Sequence, residues 1–279
     1  MRLDEIFLKG LIQWFLSYVS GFTSQEPEKN RMFKTKIEHT MIVCHEIGQL
    51  GQEMHLDQDG IILARIMGLF HDVGRFEQVR RFGTFMDRSS LDHGELGEQI
   101  IRENHVLDKL DHEQQELVFK AVRHHNRKEL PPVENEALIF FTSLLRDADK
   151  LDIYRVVWGR LAGDEQSGIG APNRAGLCHE SCSRKVLQSL EKGKIVDSEE
   201  VKTDTDYRLL LISWVYDINH AQTARRLQTR GYITRLQQSL PRIPQMNEAV
   251  SNALEFLRTI AAKENGSHVR SRASFSSEQ

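Results

Sequence analysis

Apolar residues recur at helical spacing along nearly the whole chain, and strand signals are almost absent. The periodicity predicts helices over about 4–20, 34–54, 57–72, 94–105, 112–126, 134–152, 183–192, 204–218 and 244–264. Amphipathic helices can bury their stripes only against one another, so the expected fold class is all-α. Asp57 is a plausible N-cap ahead of the apolar run Ile61 to Phe70, and Pro131-Pro132 breaks the chain between two helices. From 159 to 183 the pattern lapses into a stretch with Gly159, Gly163, Gly168, Gly170, Gly176 and Pro172. That stretch reads as a long surface loop, either a lid over a site or a plain connector. The expected organisation is an N-terminal helix within 1–33 and a core over 34–158, followed by the glycine-rich loop 159–183. A helical extension of the same domain then covers 184–264, and a polar, disordered tail covers 265–279.

Composition narrows the function classes. The chain is 39% hydrophobic and 28% charged, with a net charge of −3, which fits a soluble globular protein and argues against a duplex nucleic-acid partner. Cys44, Cys178 and Cys182 form no disulfide framework; Cys178-His179-Glu180-Ser181-Cys182 is too short a set for a zinc clip. Residues 10–25 carry no formal charge but are too short and too polar to span a bilayer, and no secretory cleavage signature follows. Leu11, Trp14, Phe15 and Tyr18 share one helical face, which suits packing on the body of the protein. A membrane-surface or homodimer contact is the other use open to it. The expected location is cytoplasmic.

The chemistry is concentrated at Phe70-His71-Asp72-Val73-Gly74, at the end of that apolar run. A neutral nitrogen donor beside an anionic oxygen donor can hold a divalent metal, and the carboxylate has a second oxygen with which to bridge another. His39 lies upstream, and His93, His124, His125 and Asp149 lie downstream. The gaps (39 to 71, 72 to 93, 93 to 124, 125 to 149) each allow one helix plus a turn, so all can return to one point.

In this order and context the chain resembles the HD-domain superfamily of metal-dependent phosphohydrolases. The matching pieces are His39-Thr40-Met41-Ile42-Val43, Phe70-His71-Asp72-Val73-Gly74, Asp92-His93-Gly94-Glu95-Leu96-Gly97, His124-His125-Asn126 and Asp147-Ala148-Asp149-Lys150-Leu151-Asp152. They span about residues 37 to 155. The resemblance implies an HD-type helical bundle in which His39, His71, Asp72 and Asp149 hold one metal. It implies a second metal held by His93 and one or both of His124 and His125, with Asp72 as the bridge. Asp149 is preferred to Asp147 because the family's last ligand precedes a Lys/Arg-Leu pair. Two divalent ions, from among Mn²⁺, Fe²⁺, Co²⁺, Ni²⁺ and Mg²⁺, would then hold a bridging hydroxide and clamp a phosphate.

Around these ligands, Arg75 and Lys150 are the candidates for phosphate contacts, with Asp72 as the central catalytic group. Arg174, Arg160 and the Arg80-Arg81 pair are weaker candidates. Asp92 and Asn126 could orient ligand histidines. The remaining histidines, among them His45, receive no site role. The expected activity is hydrolysis of a phosphoester of a nucleotide or another small phosphorylated metabolite. His124-His125-Asn126 is similar to a stretch of the cyclic-di-GMP phosphodiesterases of this superfamily but lacks their Gly-Tyr-Pro, so a cyclic (di)nucleotide phosphodiesterase is the alternative. A regulatory module without turnover is the alternative of another class, and the full ligand set weighs against it.

Overall fold

The computed structural model describes residues 3–129, 135–161 and 182–263, and among them there is no strand. The described residues fall into two compact units. The first contains α1 (Glu5–Ser20), α2 (Pro27–Glu53), α3 (Gln58–Phe70), α4 (Gly74–Phe82), α5 (His93–Glu103), α6 (His112–His124) and α7 (Glu136–Leu161). The second contains α8 (Arg184–Glu191), α9 (Asp204–Ser213), α10 (Ala221–Arg230), α11 (Tyr232–Gln238) and α12 (Pro244–Ala261). No helix among the described residues is long and apolar enough to cross a membrane. Arg174, Cys178 and the rest of 162–181, the prolines at 131 and 132, and the tail beyond 263 lie outside the described residues.

In the first unit α2 is the central element, packed against α3, α4 and α7. Val43, Ile47 and Leu50 of α2 and Ile62, Leu63, Ile66, Met67 and Phe70 of α3 are fully buried. The two helices approach closely because Gly68 has no side chain. A Cβ there would lie 3.0 Å from the Cα of Cys44. Helix α1 lays the expected face on this pair. Trp14 meets Phe70 edge-on at 5.8 Å, and Phe15 meets Phe76 at the same distance. Phe22, Phe33 and Phe76 continue the aromatic cluster and fix α4 to α1 and α2.

Several elements differ from the periodicity. Helix α2 begins at Pro27, not 34, because proline at the first helical position starts a helix that the charged run Glu28 to Arg31 hides from an apolar count. The boundary expected at 33/34 therefore falls inside a helix. Helix α4 was not expected at all; it opens on Gly74 and carries four charged residues, and its short stripe (Phe76, Val79) needs partners in three dimensions. Helices α10 and α11 were missed for a similar reason, α10 being polar except for Ala221, Ala224 and Leu227.

In the second unit Asp206 joins α8 to α9. Its carboxylate accepts from the N–H and Oγ–H of Ser183 at 2.7 Å each and from the N–H groups of Lys202 and Thr203. With Thr203 it completes a capping box on α9. Burial alone would raise its pKa, but the bonds from Ser183, Lys202 and Thr203 outweigh burial and hold it below the usual carboxylate range. A lowered folded pKa gives stability that is present above the unfolded value of about 3.9 and lost as pH falls through the folded value. Asp206→Asn is expected to destabilise this unit by about 2–4 kcal/mol at pH 7 and to flatten its loss of stability below pH 4. Hydrogen exchange at the α8 and α9 amides, compared at pH 7 and pH 3, reads both effects.

Candidate metal centre

Five segments of the first unit bring side chains to one buried point. His39 lies in the middle of α2, His71 and Asp72 follow the last residue of α3, His93 opens α5, His125 follows the last residue of α6, and Asp149 is on α7. Three overlapping groups of donors have their atoms all within 4.8 Å of one another: His39, His71 and Asp72; His71, His125 and Asp149; Asp72, His93 and His125.

The fine geometry separates this cluster into two halves. In the first, His39 Nε2 lies 3.2 Å from His71 Nε2, 3.1 Å from Asp149 Oδ1 and 3.4 Å from Asp72 Oδ2. In the second, His93 Nε2 lies 3.1 Å from His125 Nε2 and 3.4 Å from Asp72 Oδ1. Two donors each ~2.1 Å from one ion are separated by about 3.0 Å at a right angle and about 3.4 Å at the tetrahedral angle. The observed spacings match that range. Asp72 contributes one oxygen to each half.

The proton inventory tests whether a cation fits. His71 Nδ1 donates to Gly68 O at 2.8 Å and His125 Nδ1 donates to Val122 O at 2.7 Å. His93 Nδ1 donates to Asp87 Oδ2 at 2.7 Å. Each of these rings therefore turns an Nε2 lone pair inward. Burial lowers the pKa of both His93 and His125, with Arg75 adding to the effect on His93 and the neighbouring His93 and His71 on His125. Their lone pairs consequently face each other at neutral pH, an arrangement that repels unless a cation lies between them. The other half calls for positive charge just as plainly. Burial and Lys36 would lower the His39 pKa, but hydrogen bonds to Asp149, Asp152 and Asp72 overcome both and push it up to about 10. Burial opposes ionisation of Asp72, yet Lys36, His71 and His39 hold its carboxyl well below the usual range. Asp149 is held down too, by His39 and His71 against burial. A divalent cation would take the place of the His39 proton, and the donor set is then neutral imidazoles with ionised carboxylates, which suits a transition metal.

Residue by residue, the structure brings together His39, His71, Asp72, His93, His125 and Asp149. His124, expected as a ligand beside or in place of His125, does not join them. It is half-buried beside Arg123, Arg127 and Glu98, and no convergent group contains it, because one residue of rotation at the end of α6 turns it away from His125. Asp149 is favoured over Asp147, which is buried outside these groups, two residues back and so nearly opposite on the helix. Arg75 reaches the site with Nε 3.4 Å from Asp72 Oδ1, and its Nη1 is held by Phe85 O and Asp87. Lys150 is half-buried next to Asp149 in sequence and has interactions of its own. Arg80 and Arg81 both pair with Glu77, and the Arg160 side chain lies outside the described residues. Asn126 donates to Asp87 and Asp92, while Asp92 caps α5 rather than touching His93.

Three residues of the site were not read from the sequence. Lys36 places Nζ 2.5 Å from Asp72 Oδ2; it stands one helical turn before His39, which is the signal that could have found it. Asp152 accepts from His39 Nδ1 at 2.7 Å and stands one turn after Asp149, on the same face of α7. Asp87 orients His93 from a 3-10 turn, Asp87–Ser89, and nothing in its spacing announces it. Arg146 adds support from α7 by donating to the carbonyls of His125 and Arg127, which fixes the end of α6.

The HD domain family model matches residues 37–154, the stretch that contains every residue of this cluster except Lys36. Over that stretch, which is under half of its length, the chain is similar to the HD domain family. No curated protein and no solved structure matches the chain. HD domains are typically metal-dependent hydrolases, which agrees with the donor set found here. Within the matched stretch, His125→Ala is expected to weaken Mn²⁺ binding by at least about 10-fold, while His124→Ala leaves it unchanged. Calorimetric titration of Mn²⁺ into both variants checks the assignment. Equal losses in the two would refute it.

Proposed function

We propose that this chain is a metal-dependent phosphohydrolase acting on a phosphoester of a nucleotide or another small phosphorylated metabolite. The observation that carries the reading is Asp72, whose two oxygens each face a separate pair of imidazole nitrogens while Lys36 and Arg75 flank the same carboxylate. Divalent ions bound there would act as Lewis acids, lowering the pKa of water toward neutrality and offsetting the phosphate charge.

The chain's own groups account for the rest of the task. A phosphoester brings negative charge to a centre that already holds ionised Asp72 and Asp149, so cations must receive it. Lys36 and Arg75 sit at the right place for that, with the Lys36 ammonium 5.4 Å and the Arg75 guanidinium 5.8 Å from the centre of the Phe85 ring. Both cations thus lie near the Phe85 ring as well as beside Asp72. Asp152, Asp87 and the carbonyls of Gly68 and Val122 fix which nitrogen of each imidazole is free to bind. Lys150 remains a proposed phosphate contact on the strength of its neighbour Asp149. A cytoplasmic protein with a small-molecule substrate is the setting this reading assumes.

The test is a product-resolved screen of Mn²⁺-loaded protein on nucleoside 5′-monophosphates, cyclic mono- and dinucleotides, nucleoside triphosphates and guanosine alarmones. One class is expected to be cleaved, and Asp72→Ala is expected to lower its turnover by at least about 1,000-fold, since several kcal/mol of charge stabilisation are lost. Turnover that survives Asp72→Ala, or none on any class, would sink the reading. Lys36→Met is expected to raise KM by about 10–100-fold with metal content retained, the worth of one charged hydrogen bond.

A further inference from the structure

The carboxylate of Asp87 collects four donors from three parts of the fold. His93 Nδ1 lies 2.9 Å from Oδ1 and 2.7 Å from Oδ2. Arg75 Nη1 and Gln78 Nε2 each lie 2.8 Å from Oδ1, and Asn126 Nδ2 lies 3.2 Å from Oδ2. Arg75 and Gln78 come from α4, His93 from the first position of α5, and Asn126 from the end of α6. The segment that carries Asp87 is itself tied down, because Gln78 Nε2 also donates to Ser90 Oγ and Leu91 O, and Arg75 donates to Phe85 O. A carboxylate has about four lone-pair positions, so this one is saturated.

We propose that Asp87 is a positioning residue that couples the second half of the metal centre to the phosphate-binding arm. One of its partners, His93, is a donor of the half formed by His93, His125 and Asp72 Oδ1. Another, Arg75, flanks the same Asp72 oxygen at 3.4 Å and is a proposed phosphate contact. The two lie on helices whose N-termini touch with no room to spare. A Cβ on Gly74 would fall 2.2 Å from His93 O, so only glycine allows this approach of α4 to α5. Across that contact Asp87 holds both side chains at once. Its bond to His93 keeps the proton on Nδ1 and Nε2 free for a cation, and its bond to Arg75 keeps the guanidinium from closing onto Asp72. On the other side of the centre His39 has its own orienting carboxylate in Asp152.

The inference rests on the two-ion hydrolase reading, and its test begins with binding rather than turnover. An amide at 87 supplies one acceptor oxygen where the carboxylate supplies two, and it points an N–H at donors. Mn²⁺ titration of Asp87→Asn is expected to show the first equivalent binding as in wild type and the second at least about 10-fold more weakly. ¹⁵N spectra of the His93 ring are expected to show a mixture of tautomers in place of one. Steady-state kinetics are expected to show KM rising as Arg75 loses its anchor, and Asp87→Glu is expected to restore part of both effects. Two equivalents bound as in wild type, with an unchanged His93 tautomer, would overturn the proposal. So would equal weakening of both equivalents together with a lowered melting temperature, which marks general support of the fold. Wild-type protein that binds two equivalents and cleaves no phosphoester refutes the hydrolase reading alone, because the ion titration still decides the role of Asp87.

Discussion

A carboxylate buried among five cationic or imidazole groups is the constraint around which the first unit is arranged. Asp72 has almost no exposure, and an ionised carboxylate in such a place is strongly unfavourable unless it is surrounded by partners. Those partners come from several helices: Lys36 and His39 from α2, His71 from the end of α3, Arg75 from α4 and His93 from α5. Burying Asp72 brings these helices together, and their meeting gathers the donor groups that could hold a metal. Stability and site are therefore one arrangement of charges.

Two of the candidate donors are produced by the same local device. His71 and His125 each stand at the first position past a helix, and each donates Nδ1–H to the carbonyl three residues earlier, Gly68 O and Val122 O. The last carbonyls of a helix lack partners within it, so the histidine satisfies one of them and is oriented in return. The free nitrogen then points away from the helix end, toward the space the other helices enclose. His39 and His93 lack this backbone anchor and instead use Asp152 and Asp87, whose side chains are brought in by tertiary contacts.

Glycines set how closely the ligand-bearing ends can meet. Gly68 lets α3 reach α2, and Gly74 lets the start of α4 rest on the start of α5, with His93 O in the space a methyl would fill. Gly74 directly follows the turn that carries His71, Asp72 and Val73, so this contact also fixes how far Asp72 stands from His93. A spacing of a few tenths of an ångström decides whether one carboxylate can serve both halves of the centre.

The all-α class and most helix positions were legible in the sequence, because burial of an apolar stripe repeats every 3.6 residues whatever its partner. Six of the donor positions were also read there, through the resemblance of their motifs to the HD-domain superfamily and not through periodicity. The polar helices α4, α10 and α11 were not legible, since short stripes acquire meaning only when another element covers them. The choice between His124 and His125 was likewise left to the way α6 ends: the two are adjacent in sequence, and only the turn of the backbone separates a ligand from a half-buried neighbour of Arg123 and Arg127. Asp87 marks the limit most clearly. Its sequence neighbours give no sign of it, and its role exists only because the loop after α4 folds back across Arg75 and His93. The sequence by itself determined which chemical groups could gather and on which helices they ride. Only tertiary packing decided which lone pairs face the centre, because a tautomer is chosen by the partner on the far side of the ring, and that partner arrives from another element.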